Sequence, residues 1–164
     1  MADAATTLLE IEAIKQLKAR YCRFLDTKQW DDWRTLFADD FVSDTSPSGG
    51  KLITGADEFV AFVRGTLEKQ PTVHQVHAPE ITVTSDTTAT GIWALEDVVR
   101  LTPGVNLNGR GHYHETYEKV DGRWLIKTST LTRVREDFFN PLISVRLSPR
   151  LRQAGAALAR RFSA

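Results

Sequence analysis

Apolar residues recur at every third or fourth position in the first part of the chain. This spacing holds over residues 7–26 and predicts one long amphipathic helix, with Lys18 among its polar positions. Thr7 and Glu10 have the spacing of a capping box, so we expect the helix to begin at Thr7. The pattern predicts a helix with one buried face at the start of the fold.

Shorter elements are predicted between the long helix and residue 70. The apolar residues favour one helix over residues 30–37 and another over residues 57–68, whose acidic first turn suits the helix dipole. Two short extended segments, 41–44 and 51–54, flank a stretch of serine, proline and glycine that is typical of turns.

After Pro71 the apolar spacing changes from helical periodicity to the alternation of strands. Four long segments rich in Thr, Val, Ile, Tyr and Trp follow, and Asp121-Gly122 between the last two is a hairpin turn signal. Helices followed by an antiparallel meander predict an α+β fold with helices on one sheet face. The predicted strands cover residues 73–85, 87–101, 110–119 and 124–135.

Composition and charge are those of an ordinary globular protein. The 164 residues include 21 basic and 21 acidic side chains, so the chain lacks the excess of positive charge typical of nucleic-acid binders. We predict one domain over residues 1–164, with a C-terminal tail from about residue 140 in which 149–162 favour a basic helix. No secretion signal or membrane span is evident, which predicts a cytoplasmic protein without a membrane partner.

The chain offers no spacing that indicates a metal site. Its single cysteine, Cys22, lies in the helical pattern and is interpreted as a small buried apolar residue. Strand alternation puts His112 and His114 on one sheet face but His74 and His77 on opposite faces. We therefore predict no bound metal.

Four polar or aromatic residues are candidates for chemistry: Tyr21, Asp26, His74 and Asp97. Histidine can take and return a proton near neutral pH, and a carboxylate on its second nitrogen fixes the tautomer. From the residues alone a structural role is the simpler interpretation, with Asp26 as a cap, Asp97 in solvent and His74 and Tyr21 in the core.

Six segments carry a resemblance to a known family: residues 14–42, 55–57, 74–81, 111–117, 121–124 and 131–135. In this order along the chain they resemble the nuclear transport factor 2-like superfamily in its SnoaL-like branch. That branch includes scytalone dehydratase, bile-acid 7α-dehydratase and hexachlorocyclohexane dehydrochlorinase. The resemblance covers roughly residues 8 to 140. It implies a cone-shaped, curved antiparallel sheet wrapped around the N-terminal helices, and chemistry without a cofactor.

The resemblance also implies roles for individual residues. His74 matches a base that removes a substrate proton, and Asp26 matches the carboxylate that orients it. Tyr21 matches a tyrosine beside the leaving hydroxyl, and Asp97 matches a second carboxylate of the pocket. Further side chains are assigned to substrate binding, with the choice between the two arginines left open: Trp93, Tyr113, Arg133 or Arg135.

The function expected from the resemblance is a dehydratase or dehydrohalogenase acting on a small apolar, for example polycyclic, substrate through a His/Asp dyad. The sequence leaves three alternatives open: an isomerase like ketosteroid isomerase, a polyketide cyclase, and a non-catalytic ligand-binding or accessory subunit. The sheet face that the helices do not cover predicts a homodimer or a homotrimer.

Overall fold

Three helices precede most of the sheet. In the computed structural model the described residues are 3–102, 104–140, 144–148, 150 and 153–155. The helices are α1 (Ala4–Asp26), α2 (Trp30–Arg34) and α3 (Ala56–Leu67).

Helix α1 begins one turn earlier than the sequence predicts. The side chain of Asp3 accepts a hydrogen bond from the Thr6 backbone N–H at 2.9 Å and caps the helix, so the predicted capping box of Thr7 and Glu10 is wrong. Glu10 instead accepts hydrogen bonds from Lys119 and from the Trp124 indole. Its carboxylate thus joins α1 to the sheet.

Helix α2 is shorter than predicted because the residues after it pair with the sheet. The Ile126 N–H donates to the Leu36 carbonyl at 2.9 Å, and Phe37 pairs with Ile126. The helix therefore ends at Arg34, and the first strand starts at Phe37 rather than at residue 41.

Seven strands form one sheet in the described part of the chain, in the order β2-β1-β6-β5-β4-β3. Strand β7 pairs with residues 136–139 of β6, beyond the segment that pairs with β1. The predicted meander of β3 to β6 is confirmed, but β1 runs parallel to β6, so the sheet is not wholly antiparallel. No hairpin joins β1 to β6, so nothing forces them to run in opposite directions. The strands are β1 (Phe37–Asp44), β2 (Leu52–Thr54), β3 (Thr72–Val83), β4 (Thr88–Thr102), β5 (Val105–Val120), β6 (Arg123–Phe139) and β7 (Ser144–Leu147).

The last long hairpin has the predicted turn. Asp121 and Gly122 have φ values of 49° and 75°, and this left-handed pair matches the twist of β5 and β6. Strand β7 lies within the tail predicted from about residue 140. The basic helix predicted over residues 149–162 lies largely outside the described residues.

Aromatic rings fill the space between the helices and the curved sheet. Trp33 packs against Tyr21, Phe37 and Phe59 with ring centroids 5.0 to 5.4 Å apart. Phe41 joins this cluster through Phe37 and Phe59. These contacts hold α1, α2 and α3 against β1 and leave the inner face of β3 to β6 for other residues.

A bulge in β6 changes which residues face inward. Arg110 pairs with Arg135, but the next residue, Gly111, pairs with Arg133, so Val134 is the extra residue. Arg133 and Arg135 therefore point to opposite faces, although strict alternation would put them together. A Cβ on Gly111 would overlap the Thr132 carbonyl, so this bulge requires glycine.

We predict that Gly111→Ala lowers the free energy of unfolding by about 1–3 kcal/mol, because the methyl group has no space beside the bulge. Urea denaturation measures the change. Gly65→Ala is the matched control, because Gly65 lies in α3 with nothing near the added methyl group. It should leave stability unchanged or raise it by up to about 1 kcal/mol. Equal stabilities of the two variants would contradict the role of Gly111.

Candidate active site

His74 and Asp26 meet where α1 ends and β3 begins. Asp26 Oδ1 lies 2.7 Å from His74 Nδ1, and Oδ2 accepts a hydrogen bond from the His74 backbone N–H at 2.7 Å. Thr72 also donates to Oδ1 at 2.8 Å. These three contacts lock the carboxylate against the imidazole.

This arrangement selects one form of the His74 ring. An ionised carboxylate only accepts hydrogen bonds, so Nδ1 of a neutral imidazole carries the proton and Nε2 keeps its lone pair. No described residue hydrogen-bonds to Nε2. The His74 side chain is only 7% exposed, and in the neutral form of the ring Nε2 is the atom that can accept a proton.

Asp97 lies directly opposite His74 on the neighbouring strand. Its Oδ2 accepts a hydrogen bond at 2.6 Å from Nη2 of Arg133, which reaches across the sheet from β6. Gly109 of β5 lies between the two strands, and a Cβ there would overlap both the carboxylate and the guanidinium. Glycine at this position lets the ion pair lie flat on the sheet.

The ion pair of Asp97 and Arg133 is almost completely buried, with side chains 3% and 8% exposed. Burial opposes the charge of Arg133, but Asp97, Tyr113 and Glu136 outweigh it and raise the pKa of the guanidinium. Asp97 Oδ1 and Arg133 Nη1 are buried and have no hydrogen-bond partner among the described residues. Buried polar atoms of this kind are uncommon outside sites that meet ligand or water.

The structure separates the two candidate arginines. Arg133 faces the inner space, whereas the Arg135 side chain is 44% exposed and pairs with Asp137. The bulge at Val134 is the physical reason. Arg135 therefore does not line the site, contrary to that alternative of the sequence analysis.

Tyr21 and Tyr113 lie side by side, with ring centroids 6.1 Å apart. Burial raises the pKa of Tyr21 well above its usual value, and Tyr113 and Glu115 add to the effect. Burial also raises the pKa of Tyr113, which is further raised by Asp97 and lowered by Arg133. Both phenols therefore stay protonated, and Tyr113 connects Tyr21 electrostatically to the ion pair.

A buried ion pair that the sequence analysis missed lies beneath these rings. Lys18 Nζ is 2.5 Å from Glu115 Oε1, and both side chains are fully buried, so the expected polar position of Lys18 is wrong. Tyr117 and Ser129 also donate to Glu115. The helical spacing of Ile14, Lys18 and Tyr21 is the sequence feature that could have shown that Lys18 is buried, because it places Lys18 on the apolar face of the helix.

A groove of about 680 Å³ between α1 and β3 leads to His74. Cys22, Val76 and Trp93 also line it, whereas the buried side chains of Tyr21, Asp97 and Arg133 are not among its lining residues. The Trp93 indole N–H donates to the Tyr117 hydroxyl at 2.7 Å, which fixes the ring at the wall. Other grooves, such as that beside Glu10, lie away from these residues.

The histidines outside the pair do not form a metal centre. Within the described ranges no three His, Cys, Asp or Glu side chains converge as metal ligands would. His112 and His114 lie on the outer face of β5, with ring centroids 6.3 Å apart. In the same part of the chain, no helix is both long and apolar enough to cross a membrane.

A family model and a curated relative match most of the chain. The model of the SnoaL-like domain matches residues 6–130. Probable cyclase FGR4 of Gibberella zeae is 28% identical over 133 residues, which cover 74% of this chain and 89% of that protein.

Solved structures share the fold. A proposed scytalone dehydratase of Novosphingobium aromaticivorans has a TM-score of 0.74 at 24% identity, over 82% of this chain and 90% of that one. The LinA-type3 hexachlorocyclohexane dehydrochlorinase of Novosphingobium barchaimii has a TM-score of 0.69 at 16% identity, over 87% and 92%. The resemblance and the α+β fold predicted from the sequence are thereby confirmed.

We predict that Lys18→Met lowers the free energy of unfolding by about 3–5 kcal/mol, because it leaves the buried Glu115 carboxylate without its cation. Adding Glu115→Gln should restore most of this loss, since no buried charge then remains unpaired. Urea denaturation of the single and double variants measures both effects. A single variant as stable as the parent chain would show that the pair is not buried as described.

We predict that the Cys22 thiol reacts slowly with iodoacetamide. Burial, opposed by Lys18 and reinforced by Asp26 and Glu115, raises its pKa from 9.0 to about 11. At pH 8 the thiolate is therefore about a hundredfold scarcer than in an ordinary cysteine, and alkylation should slow in proportion. Mass spectrometry of timed samples gives the rate, with urea-unfolded protein as the control. Equal rates in both states would exclude the raised pKa.

Proposed function

The chain belongs to the SnoaL-like domain family, and we propose that it is a cofactor-free lyase that removes water from a small apolar substrate. The observation that supports this most is the 2.7 Å contact between His74 Nδ1 and Asp26 Oδ1. Asp97 stands opposite His74 and extends the site to Arg133. A base beside a polar anchor is the arrangement that an elimination requires.

His74 is the base of the proposed reaction. Its Nε2 takes a proton from the carbon next to a substrate carbonyl, and Asp26 stabilises the imidazolium that forms. The electrons of the C–H bond form the new C=C bond, and the C–O bond of the leaving hydroxyl breaks. Asp26 orients the ring and takes no proton.

Tyr21 is the acid that completes the elimination. The sequence left Tyr21 and a protonated Asp97 as alternatives, and Asp97 already accepts a hydrogen bond from the Arg133 guanidinium, so we assign the acid to Tyr21. Tyr21 stays protonated and gives its proton to the departing oxygen, which leaves as water. The proton on His74 then returns to the tyrosinate, so the protein ends as it began.

Arg133 and Asp97 anchor the substrate oxygen atoms. The guanidinium places positive charge where the carbonyl oxygen becomes enolate-like. Its stabilisation of that negative charge is stronger in a buried site than in water. Trp93 and Tyr113 supply apolar walls. A neutral β-hydroxy ketone on a fused ring system is the substrate class that these groups suit.

A second candidate function is cyclisation, which the relationship to Probable cyclase FGR4 favours. An intramolecular aldol closure also starts with removal of a proton next to a carbonyl, so His74 and Arg133 would keep their roles. It differs in that a carbon–carbon bond forms and no group needs to leave. Dehydrohalogenation, as named for the LinA enzyme, differs only in the leaving group.

The location, oligomeric state and binding partners of the protein are proposed from the sequence. We propose a cytoplasmic homodimer or homotrimer that binds a small apolar organic molecule and neither nucleic acid nor membrane. The outer sheet face presents threonines and histidines, and it is the face left for contact between copies. Analytical ultracentrifugation distinguishes the two oligomers.

We predict that the protein converts 3-hydroxy-1-tetralone to 1-naphthol and water, and that His74→Ala lowers kcat by about 10²–10⁴-fold. Asp26→Asn should also lower kcat, because an amide no longer fixes the tautomer. Fluorescence of 1-naphthol measures the rate. His112→Ala is the matched control, since that histidine lies on the outer face and should leave turnover unchanged.

The same product separates the candidate reactions. 3-Chloro-1-tetralone also yields 1-naphthol, by loss of HCl. If, after its uncatalysed rate is subtracted, it is turned over faster than the hydroxy compound, the result would favour a dehydrohalogenase. Turnover that is equal in the parent chain and His74→Ala would reject the base. Absence of turnover on both compounds, with cyclisation of a linear polyketide analogue, would favour the cyclase.

A further inference from the structure

A buried cation lies against both tyrosines of the candidate site. Lys18 Nζ is 4.0 Å from the centroid of the Tyr21 ring and 3.8 Å from that of Tyr113. Lys18 precedes Tyr21 by one helical turn, whereas Tyr113 comes from β5. One ammonium group thus touches the faces of two rings that belong to different elements.

The cation is held in place from its other side. Glu115 accepts its hydrogen bond at 2.5 Å and is itself bound by the Tyr117 hydroxyl at 2.6 Å and by Ser129 at 3.1 Å. Tyr117 in turn accepts from the Trp93 indole. This network fixes the ammonium relative to β4, β5 and β6 and connects it to the wall of the groove.

We propose that Lys18 is a positioning residue of the reaction: its ammonium holds the rings of Tyr21 and Tyr113 side by side and presents the tyrosine proton to the leaving oxygen. The proposal rests on the dehydratase function above. Lys18 touches no reacting atom in it and acts through Tyr21. A cation on a ring face attracts the π electrons, and burial strengthens this attraction.

The proton transfer itself depends on where the Tyr21 hydroxyl is placed. When Tyr21 gives its proton to the hydroxyl, the O–H electron pair stays on the phenolic oxygen as a tyrosinate. Burial penalises that anion, as the raised pKa of Tyr21 indicates. Glu115, which neutralises Lys18, adds to that penalty. The contribution of Lys18 is therefore to the position of the Tyr21 ring, and a misplaced proton donor affects kcat more than substrate binding.

The chain contains a matched control for removing this ion pair. Lys119 and Glu10 form a second lysine–glutamate pair between α1 and β5, 2.6 Å apart, and neither residue is among the ring contacts of Tyr21 and Tyr113. The test variant is Lys18→Met with Glu115→Gln, which leaves no buried charge unpaired. The control variant is Lys119→Met with Glu10→Gln.

With 3-hydroxy-1-tetralone as the probe, the test variant should lose about tenfold to hundredfold in kcat with a smaller change in KM, because Tyr21 is the proton donor and Tyr113 only one wall of the site. The control variant should stay within about twofold of the parent chain. In a Tyr21→Phe background the test variant should cause no further loss, because Lys18 acts through that tyrosine. A purely structural role would give additive losses.

Labelling tyrosine rings with ¹³C provides a readout that needs no turnover. In the test variant the ring resonances of Tyr21 and Tyr113 should shift, and the signals from the two sides of each ring should average as the rings rotate more freely. In the control variant these resonances should stay unchanged. If these resonances do not move, or if the losses in kcat are additive, the positioning role is overturned. If the rings respond but no variant or parent chain turns over the probe, the positioning holds and the dehydratase function fails.

Discussion

The ion pair between Lys18 and Glu115 is the constraint on which the inner space depends. A charged pair without exposure costs several kcal/mol of desolvation per ion, which is offset only when geometry and further hydrogen bonds are good. The network around Glu115 supplies those bonds from β5 and β6. Because Lys18 belongs to α1, satisfying the pair also fixes how deep the helix lies on the sheet, and therefore where Tyr21 and Asp26 lie.

Two irregularities of the sheet then bring the remaining residues to the same place. Gly109 leaves room for the Arg133 guanidinium to cross β5 and reach Asp97, and the bulge at Val134 turns Arg133 inward. Without the bulge, Arg133 and Arg135 would point to the same face of the sheet. The site thus owes its arrangement to backbone positions that carry no chemistry of their own.

How much the sequence predicts depends on whether a residue follows regular periodicity. The helices, the meander and the hairpin at Asp121-Gly122 follow from local patterns, and the resemblance pointed to the meeting of His74 with Asp26. Arg133 could not be separated from Arg135, because a bulge has no reliable signal in one sequence. Lys18 was misplaced because a lysine is read as solvent-exposed unless its partner, here 97 residues away, is known.

The charges of the inner space bear on the kind of molecule that fits there. Lys18 is paired with Glu115, and Arg133 is paired with Asp97 and lies 3.4 Å from Glu136, so each buried cation already has at least one counter-ion. An anionic ligand would have to displace a carboxylate from its cation and leave that carboxylate without compensation, which is strongly unfavourable. A neutral molecule with one or two oxygen atoms can use the unpaired Oδ1 of Asp97 and Nη1 of Arg133 while keeping both pairs intact. These charges therefore support the proposal of a neutral, mostly apolar substrate.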